Sequence, residues 1–255
     1  MSEFISCRIA KFIAMAGVCS RRQAEKMIAD GRVKLDGKIA STSAINVGLQ
    51  NIIEIDNKVI NLSDKTRVWI YYKPIGLITT HSDPQDRPTV FNALKEFLPR
   101  VISVGRLDLN SEGLLILTNS GTLVRELELP KNNFERVYKV RVYGDISNLM
   151  AYLAQKKSYQ ITIDNITYRP KKIQLTSEGI TNSWFKVTLT EGKNREIRKI
   201  FEYFSLKVNR LIRVKYGKYE LGNLKPGEFK ELENVHQTIR VKLRNNDVSN
   251  KIKSD

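Results

Sequence analysis

From Gly105 to Asn119 the chain reads Gly-Arg-Leu-Asp-Leu-Asn-Ser-Glu-Gly-Leu-Leu-Ile-Leu-Thr-Asn. A polar turn bracketed by Gly105 and Gly113 runs directly into four apolar residues, Leu114–Leu117. Successive side chains of a strand point to opposite faces, so an unbroken apolar run of this kind predicts a strand buried on both. A turn feeding such a strand is a rigid platform for the side chain it presents, which a catalytic group requires. Here that side chain is the carboxylate of Asp108, two residues after Arg106. Taken alone, an aspartate in this setting more often caps its own loop than does chemistry.

Ahead of this segment, residues 6–64 read as a compact module of their own. Ile9, Phe12, Ile13 and Ala16 carry the spacing of a helix with one buried face, predicted over Ser6–Met15 and stopped by Gly17. Ser20 and Gln23 have the spacing of a capping box for a second helix, buried through Ala24, Met27 and Ile28 and ending at Gly31. Val33–Leu35, the Asp36-Gly37 turn and Lys38–Ala40 then predict a hairpin, and Ile52–Ile55 a further strand. Between Arg8 and Lys34 stand seven basic residues against two acidic ones, a concentration that is also compatible with a solvated helix face.

After a polar stretch at Asn61–Thr66, residues 65–236 read as a mixed α+β domain. Strands are predicted at Val68–Tyr72, Val137–Val142, Phe185–Leu189 and Lys207–Arg213, and helices at Thr89–Phe97, Thr122–Glu128 and Glu196–Phe204. The polar end, residues 237–255, reads as a fraying tail.

The 255 residues hold 43 Lys and Arg against 27 Asp and Glu, a net charge of +16 with 41% hydrophobic residues. That balance predicts a folded protein with a polyanionic partner, nucleic acid first, although some basic proteins are merely basic. Two cysteines, Cys7 and Cys19, exclude a disulfide scaffold and a four-cysteine metal cluster. The uncharged run Phe12–Ser20 is too short to span a bilayer, and Arg21-Arg22 follows it in the wrong order for a signal peptide. A reducing cytoplasm is the expected location.

The Gly105–Asn119 segment, followed by Ser120-Gly121, resembles the catalytic signature of the RsuA/RluB family of ribosomal RNA pseudouridine synthases. Four other segments match that family in the expected order. Lys73-Pro74-Ile75-Gly76, with Asp86-Arg87-Pro88-Thr89-Val90, resembles its first region, and Glu135-Arg136-Val137-Tyr138 its tyrosine region. Glu191-Gly192-Lys193-Asn194-Arg195-Glu196-Ile197-Arg198 resembles its third, and Leu211–Gly217 its closing strand. Residues 6–64 are similar to the small RNA-binding domain named after ribosomal protein S-four.

The resemblance implies an α+β protein, with a small N-terminal α/β RNA-binding domain followed by a mixed antiparallel-sheet pseudouridine synthase domain. It implies isomerisation of uridine to pseudouridine without metal or cofactor, by a monomer acting on ribosomal RNA or a ribosome assembly intermediate. Asp108 would be the catalytic carboxylate, acting on ribose or base, and Arg198 its cationic partner, which would keep it ionised. Tyr138 would lie against the uracil ring, although its residue pattern also fits a half-buried strand tyrosine. Arg106 would fill the gap left by a flipped-out uridine, and Ile197 would pack on the flipped base or, with Ile200 and Phe201, simply join the core. Arg8, Lys11, Arg21, Arg22 and Lys34 are the expected phosphate contacts. Asp86–Phe91 and Arg210–Gly217 look more like the large-subunit branch than the small-subunit one. The alternatives are the same reaction on 16S RNA, or a silent RNA-binding assembly factor that has kept the fold.

Overall fold

A computed structural model describes residues 6–62, 65–155 and 158–233. The expected tail from residue 237 lies outside them. The first module holds α1 (Ile9–Met15) and α2 (Arg21–Ala29) against short strands. These are β1 (Cys7–Arg8), β2 (Val33–Leu35), β3 (Lys38–Ile39), β4 (Asn46–Val47), β5 (Ile53–Ile55) and β6 (Lys58–Val59). The Ser20 hydroxyl accepts from the Gln23 amide at 3.2 Å, one half of the predicted capping box. The first helix starts later than its apolar spacing predicts, because Cys7 and Arg8 are extended and pair with Val47 and Asn46. The strands β3-β2-β5-β6 form one antiparallel sheet. The core of this module, from Cys7 to Ile55, is separate from those of the following domain.

The second domain is built on one large sheet with the order β13-β14-β10-β15-β9-β7-β17, to which β8 and β16 attach. In chain order its elements are β7 (Val68–Lys73), α3 (Val90–Leu94), β8 (Ile102–Val104), β9 (Glu112–Thr118), α4 (Gly121–Glu128), β10 (Arg136–Tyr143) and α5 (Ser147–Gln155). They continue with β11 (Ile161–Ile163), β12 (Ile166–Tyr168), β13 (Lys172–Ser177), β14 (Asn182–Leu189), α6 (Glu196–Tyr203), β15 (Lys207–Tyr216), β16 (Tyr219–Glu220) and β17 (Phe229–Glu231). The helix predicted over Thr89–Phe97 is shorter in the structure: Thr89 is its N-cap, accepting from the Asn92 amide, and the helix ends at Leu94.

Strand β9 lies inside the sheet, and all four of Leu114–Leu117 have no exposed surface. Leu115 and Leu117 enter the core formed with α3, α5 and α6, while Leu114 and Ile116 enter the core formed with α4. Burial of each side chain contributes about 1.5–3 kcal/mol. Strand pairing in this sheet is antiparallel except between β15 and β9, which run parallel where Arg213 meets Gly113. Gly113 has φ +104, and a Cβ there would stand 2.4 Å from the Arg213 carbonyl oxygen. Only glycine permits that approach, which sets the end of β15 against the turn carrying Asp108.

Candidate active site

The turn between β8 and β9 is held almost wholly through its backbone. Five successive carbonyls accept hydrogen bonds: Leu107 from the Thr79 hydroxyl, Asp108 from Lys73 Nζ and the Ser111 amide, and Leu109 from the Gly76 amide. Asn110 accepts from an Arg198 Nη at 2.7 Å, and Ser111 from Lys73 Nζ at 2.8 Å. At the other end the Gly105 amide donates to Glu128 Oε1 at 2.6 Å. With the main chain tied at each step, the side chains of Arg106 and Asp108 are left exposed. Among the described residues no hydrogen bond or ion pair reaches the Asp108 carboxylate.

Lys73 organises this turn from beneath. It is 0% exposed, and its ammonium donates to the carbonyls of Pro74, Asp108 and Ser111, which uses all three N–H groups. Burial pushes its pKa down to about 8, opposed by the charges of Asp108 and Glu112. Glu112 is itself buried, and it joins three strands by accepting from Tyr72 and, at 2.6 and 3.1 Å, from Arg210. Burial works to raise the Glu112 carboxyl, but these bonds outweigh it and hold the group below its ordinary range.

A cavity of about 580 Å³ opens over the turn. Asp108, Arg106, Tyr138 and Ile197 all line it, so four of the five residues expected at the catalytic centre are brought together. Tyr138 is 9% exposed, in the middle of β10 between Val187 and Arg213, and Ile197 is buried at the start of α6. Both also belong to the core, so the two readings of each residue coincide.

Arg198 departs from its expected place. It lines a neighbouring cavity rather than this one, and its guanidinium donates to the Asn110 and Val208 carbonyls instead of pairing with the Asp108 carboxylate. Burial and the adjacent Arg195 both disfavour its charge, while Asp108 favours it. It is therefore a nearby charge and a tether of the turn, because helix α6 points its side chain across the foot of the turn.

Arg136 is a further organiser. One Nη donates to the Thr190 carbonyl at 3.1 Å, the other to the Tyr216 hydroxyl at 2.7 Å, and the guanidinium lies 4.5 Å from the centre of the Tyr216 ring. Pairs of aromatic and guanidinium groups at this range are attractive. Lys73, Glu112 and Arg136 all stand in the motif segments, but the sequence gives no sign of these roles, because most of their partners are carbonyls or groups far along the chain.

In the first module, Arg8, Arg21 and Arg22 are exposed and Lys11 is half-buried. Burial pushes the Cys7 thiol up, and the charges of Lys11 on α1 and Arg21 on α2 both oppose it. Lys34 is engaged by the Asn57 side chain at 2.9 Å.

The family model for RNA pseudouridylate synthase matches residues 67–203, and the S4 domain matches residues 7–53. The chain belongs to the RNA pseudouridylate synthase family and is an isomerase of that class. It is 57% identical over 228 residues to an RNA pseudouridine synthase of Rickettsia felis, covering 89% of this chain and 97% of the relative. It is 41% identical to ribosomal large subunit pseudouridine synthase B of Haemophilus influenzae, over 90% of this chain and 66% of that protein. The same enzyme of Escherichia coli is 40% identical, over 90% and 80%. A crystal structure of a pseudouridylate synthase aligns with a TM-score of 0.59 at 26% identity, covering 88% of this chain and 95% of the other. Among the described residues no helix is long and apolar enough to cross a membrane.

Proposed function

We propose that this protein converts one uridine of 23S ribosomal RNA to pseudouridine in the bacterial cytoplasm, with Asp108 as the catalytic carboxylate. The observation that carries the reading is the Asp108 turn, in which five successive backbone carbonyls are tied while the carboxylate stands free in the cavity. The relatives named for large-subunit RNA support the choice of 23S. In the reaction the bond from uracil N1 to the ribose C1′ breaks and a bond from C5 to C1′ forms. The C5 proton departs and N1 gains one, so composition is unchanged. Asp108 attacks ribose or base, and Tyr138 lies on the ring beside it with Ile197 against the base. A uridine inside an RNA helix reaches such a cavity only by flipping out, at a cost of a few kcal/mol, and the planar cation of Arg106 replaces part of the lost stacking. Arg198 sets the turn and contributes positive charge near it.

Arg8, Lys11, Arg21 and Arg22 take the phosphates, with Lys34 at the margin of that surface, on a monomer that meets free RNA or an assembly intermediate. The domains run over residues 6–64 and 65–236.

The test is to map pseudouridine across both ribosomal RNAs, by carbodiimide treatment and primer extension, in cells with and without this gene. Loss of one 23S mark is the expected result. Loss of a 16S mark moves the substrate to the small subunit, and no change at any site points to a target outside ribosomal RNA, a redundant enzyme or the silent binding role.

A further inference from the structure

The segment from Thr190 to Ile197 supplies an unbroken run of the cavity lining, yet it has no regular structure until α6 begins at Glu196. Arg195, at the helix boundary, is held at φ +50 and gives no side-chain cap. What fastens this segment is a pair of acids. Glu196 is 2% exposed, and its Oε2 accepts from the Lys193 amide at 3.2 Å. Its Oε1 is buried without a donor among the described residues, and Lys193 draws Glu191 to the same place, its amide serving Glu196 and its ammonium Glu191. Glu191 is well supplied: one oxygen accepts from the Arg169 amide at 3.0 Å and the other pairs with Lys193 Nζ at 2.6 Å. Two carboxylates in contact repel, whereas one proton between them makes a short, strong hydrogen bond.

We infer that Glu196 is a positioning residue: a single proton shared between Glu196 and Glu191 clamps the 190–195 segment to the start of α6 and fixes the wall against which the uridine seats. The inference rests on the reading of the cavity as the uridine site. The groups facing the pair are Lys193 from the segment itself, Arg136 from β10 through the Thr190 and Glu191 carbonyls, and Tyr168 and Arg169 from the end of β12. None of them gives Glu196 Oε1 a donor. Burial, and then the Glu191 charge, push the Glu196 carboxyl up to about 8. The proton is kept at neutral pH and lost above that value, leaving two carboxylates that repel one another.

The test uses the full-length protein, with single-turnover conversion of uridine in a ribosomal RNA transcript from pH 6.5 to 9.5. Each protein is normalised to its own rate at pH 6.5. With RNA kept below saturation, so that the rate follows kcat/KM, the wild type is expected to lose about fivefold between pH 8 and pH 9, as for loss of one required proton. Glu196→Gln carries a permanent donor toward Glu191 and lacks this fall. Glu191→Gln offers an amide to Glu196 Oε1 and removes the fall by the other route.

Unfolding midpoints give a second readout that needs no RNA. The folded group binds its proton up to about 8, against 4.5 as its ordinary value. Its stabilisation is therefore complete below pH 4.5 and is lost as pH rises to about 8. The wild-type midpoint should fall relative to that of Glu196→Gln across this window and level off above it. Superimposable rate profiles together with parallel midpoints overturn the clamp. Diverging midpoints in a protein that converts no uridine in any RNA uphold the clamp and overturn the uridine reading.

Discussion

Two backbone segments wall the same cavity and are held by opposite means. The 105–111 turn is fixed through its carbonyls by Lys73, Thr79, Gly76 and Arg198, donors that belong to other elements. The 190–196 segment is fixed chiefly by its own side chains, Glu191, Lys193 and Glu196, with Arg136 and the Arg169 amide steadying it from outside. The first arrangement leaves its side chains free and its main chain rigid, as a group that must meet a reacting atom requires. The second occupies its side chains in holding itself and offers substrate chiefly a surface. Helix α6 joins the two, since Glu196 begins it and Arg198, one half-turn on, reaches back to Asn110.

The largest test of this contrast is Asp108→Asn. It keeps every backbone tether and should lower the single-turnover rate by about 10³ or more, as for loss of a nucleophile or base. RNA affinity in a filter-binding titration should stay within about three-fold, because no phosphate contact is lost. Equal turnover by the variant would remove Asp108 from its role. Next comes Lys73→Met, which fills similar volume but leaves the Pro74 and Ser111 carbonyls without their donor and takes one of two from that of Asp108. At about 1–3 kcal/mol for each unsatisfied group, partly relieved by relaxation, urea unfolding should register a loss of roughly 3 kcal/mol. Turnover should fall with it even where the protein remains folded.

A smaller effect is expected for Arg198→Ala, which cuts the tie between α6 and Asn110: about a tenfold lower single-turnover rate, partly restored by Arg198→Lys. If the lysine variant were as slow as the alanine one, bidentate geometry rather than charge would be the property required. The smallest belongs to the second segment. Arg136→Gln loosens Thr190 and releases Tyr216, and should raise the KM for RNA a few-fold with little change in kcat, as expected for a surface that seats substrate. A kcat effect as large as that of Arg198→Ala would erase the distinction between the two walls.

What the sequence made legible follows from the range of the interactions. Leu114–Leu117 and the Ser20 cap declare themselves within a few residues, and both fall where they were expected. The strands β11 and β12, three residues each, are too short to show a period, whereas β13 went unread although Lys172–Ser177 alternates polar and apolar residues with Ile173 and Leu175 turned inward. Helix α5 went unread although Leu149, Met150, Tyr152 and Leu153 carry helical spacing and pack on the core. The position of Asp108 was legible, but the means of holding it was not. A lysine at the end of a strand reads as a solvated charge, and only the folded chain supplies the three carbonyls that surround Lys73. Arg198 reaches the same turn as Asp108, but through the Asn110 carbonyl rather than the Asp108 carboxylate, because carbonyl groups leave no mark in a sequence.

The parallel pairing of β15 with β9 bears on when the protein first becomes competent during its synthesis. The donors that complete the Asp108 turn and seat β9 come from far downstream: Arg198 is 88 positions beyond Asn110, and Arg213 is 99 beyond Leu114. Contacts of such separation form late, since the intervening chain must be ordered before they close. At about 5–20 residues per second, the nascent chain spends several seconds with Asp108 already outside the ribosome and its supports not yet made. A half-finished copy therefore holds the reactive carboxylate on an unformed turn, and isomerase activity is an attribute of the nearly completed chain.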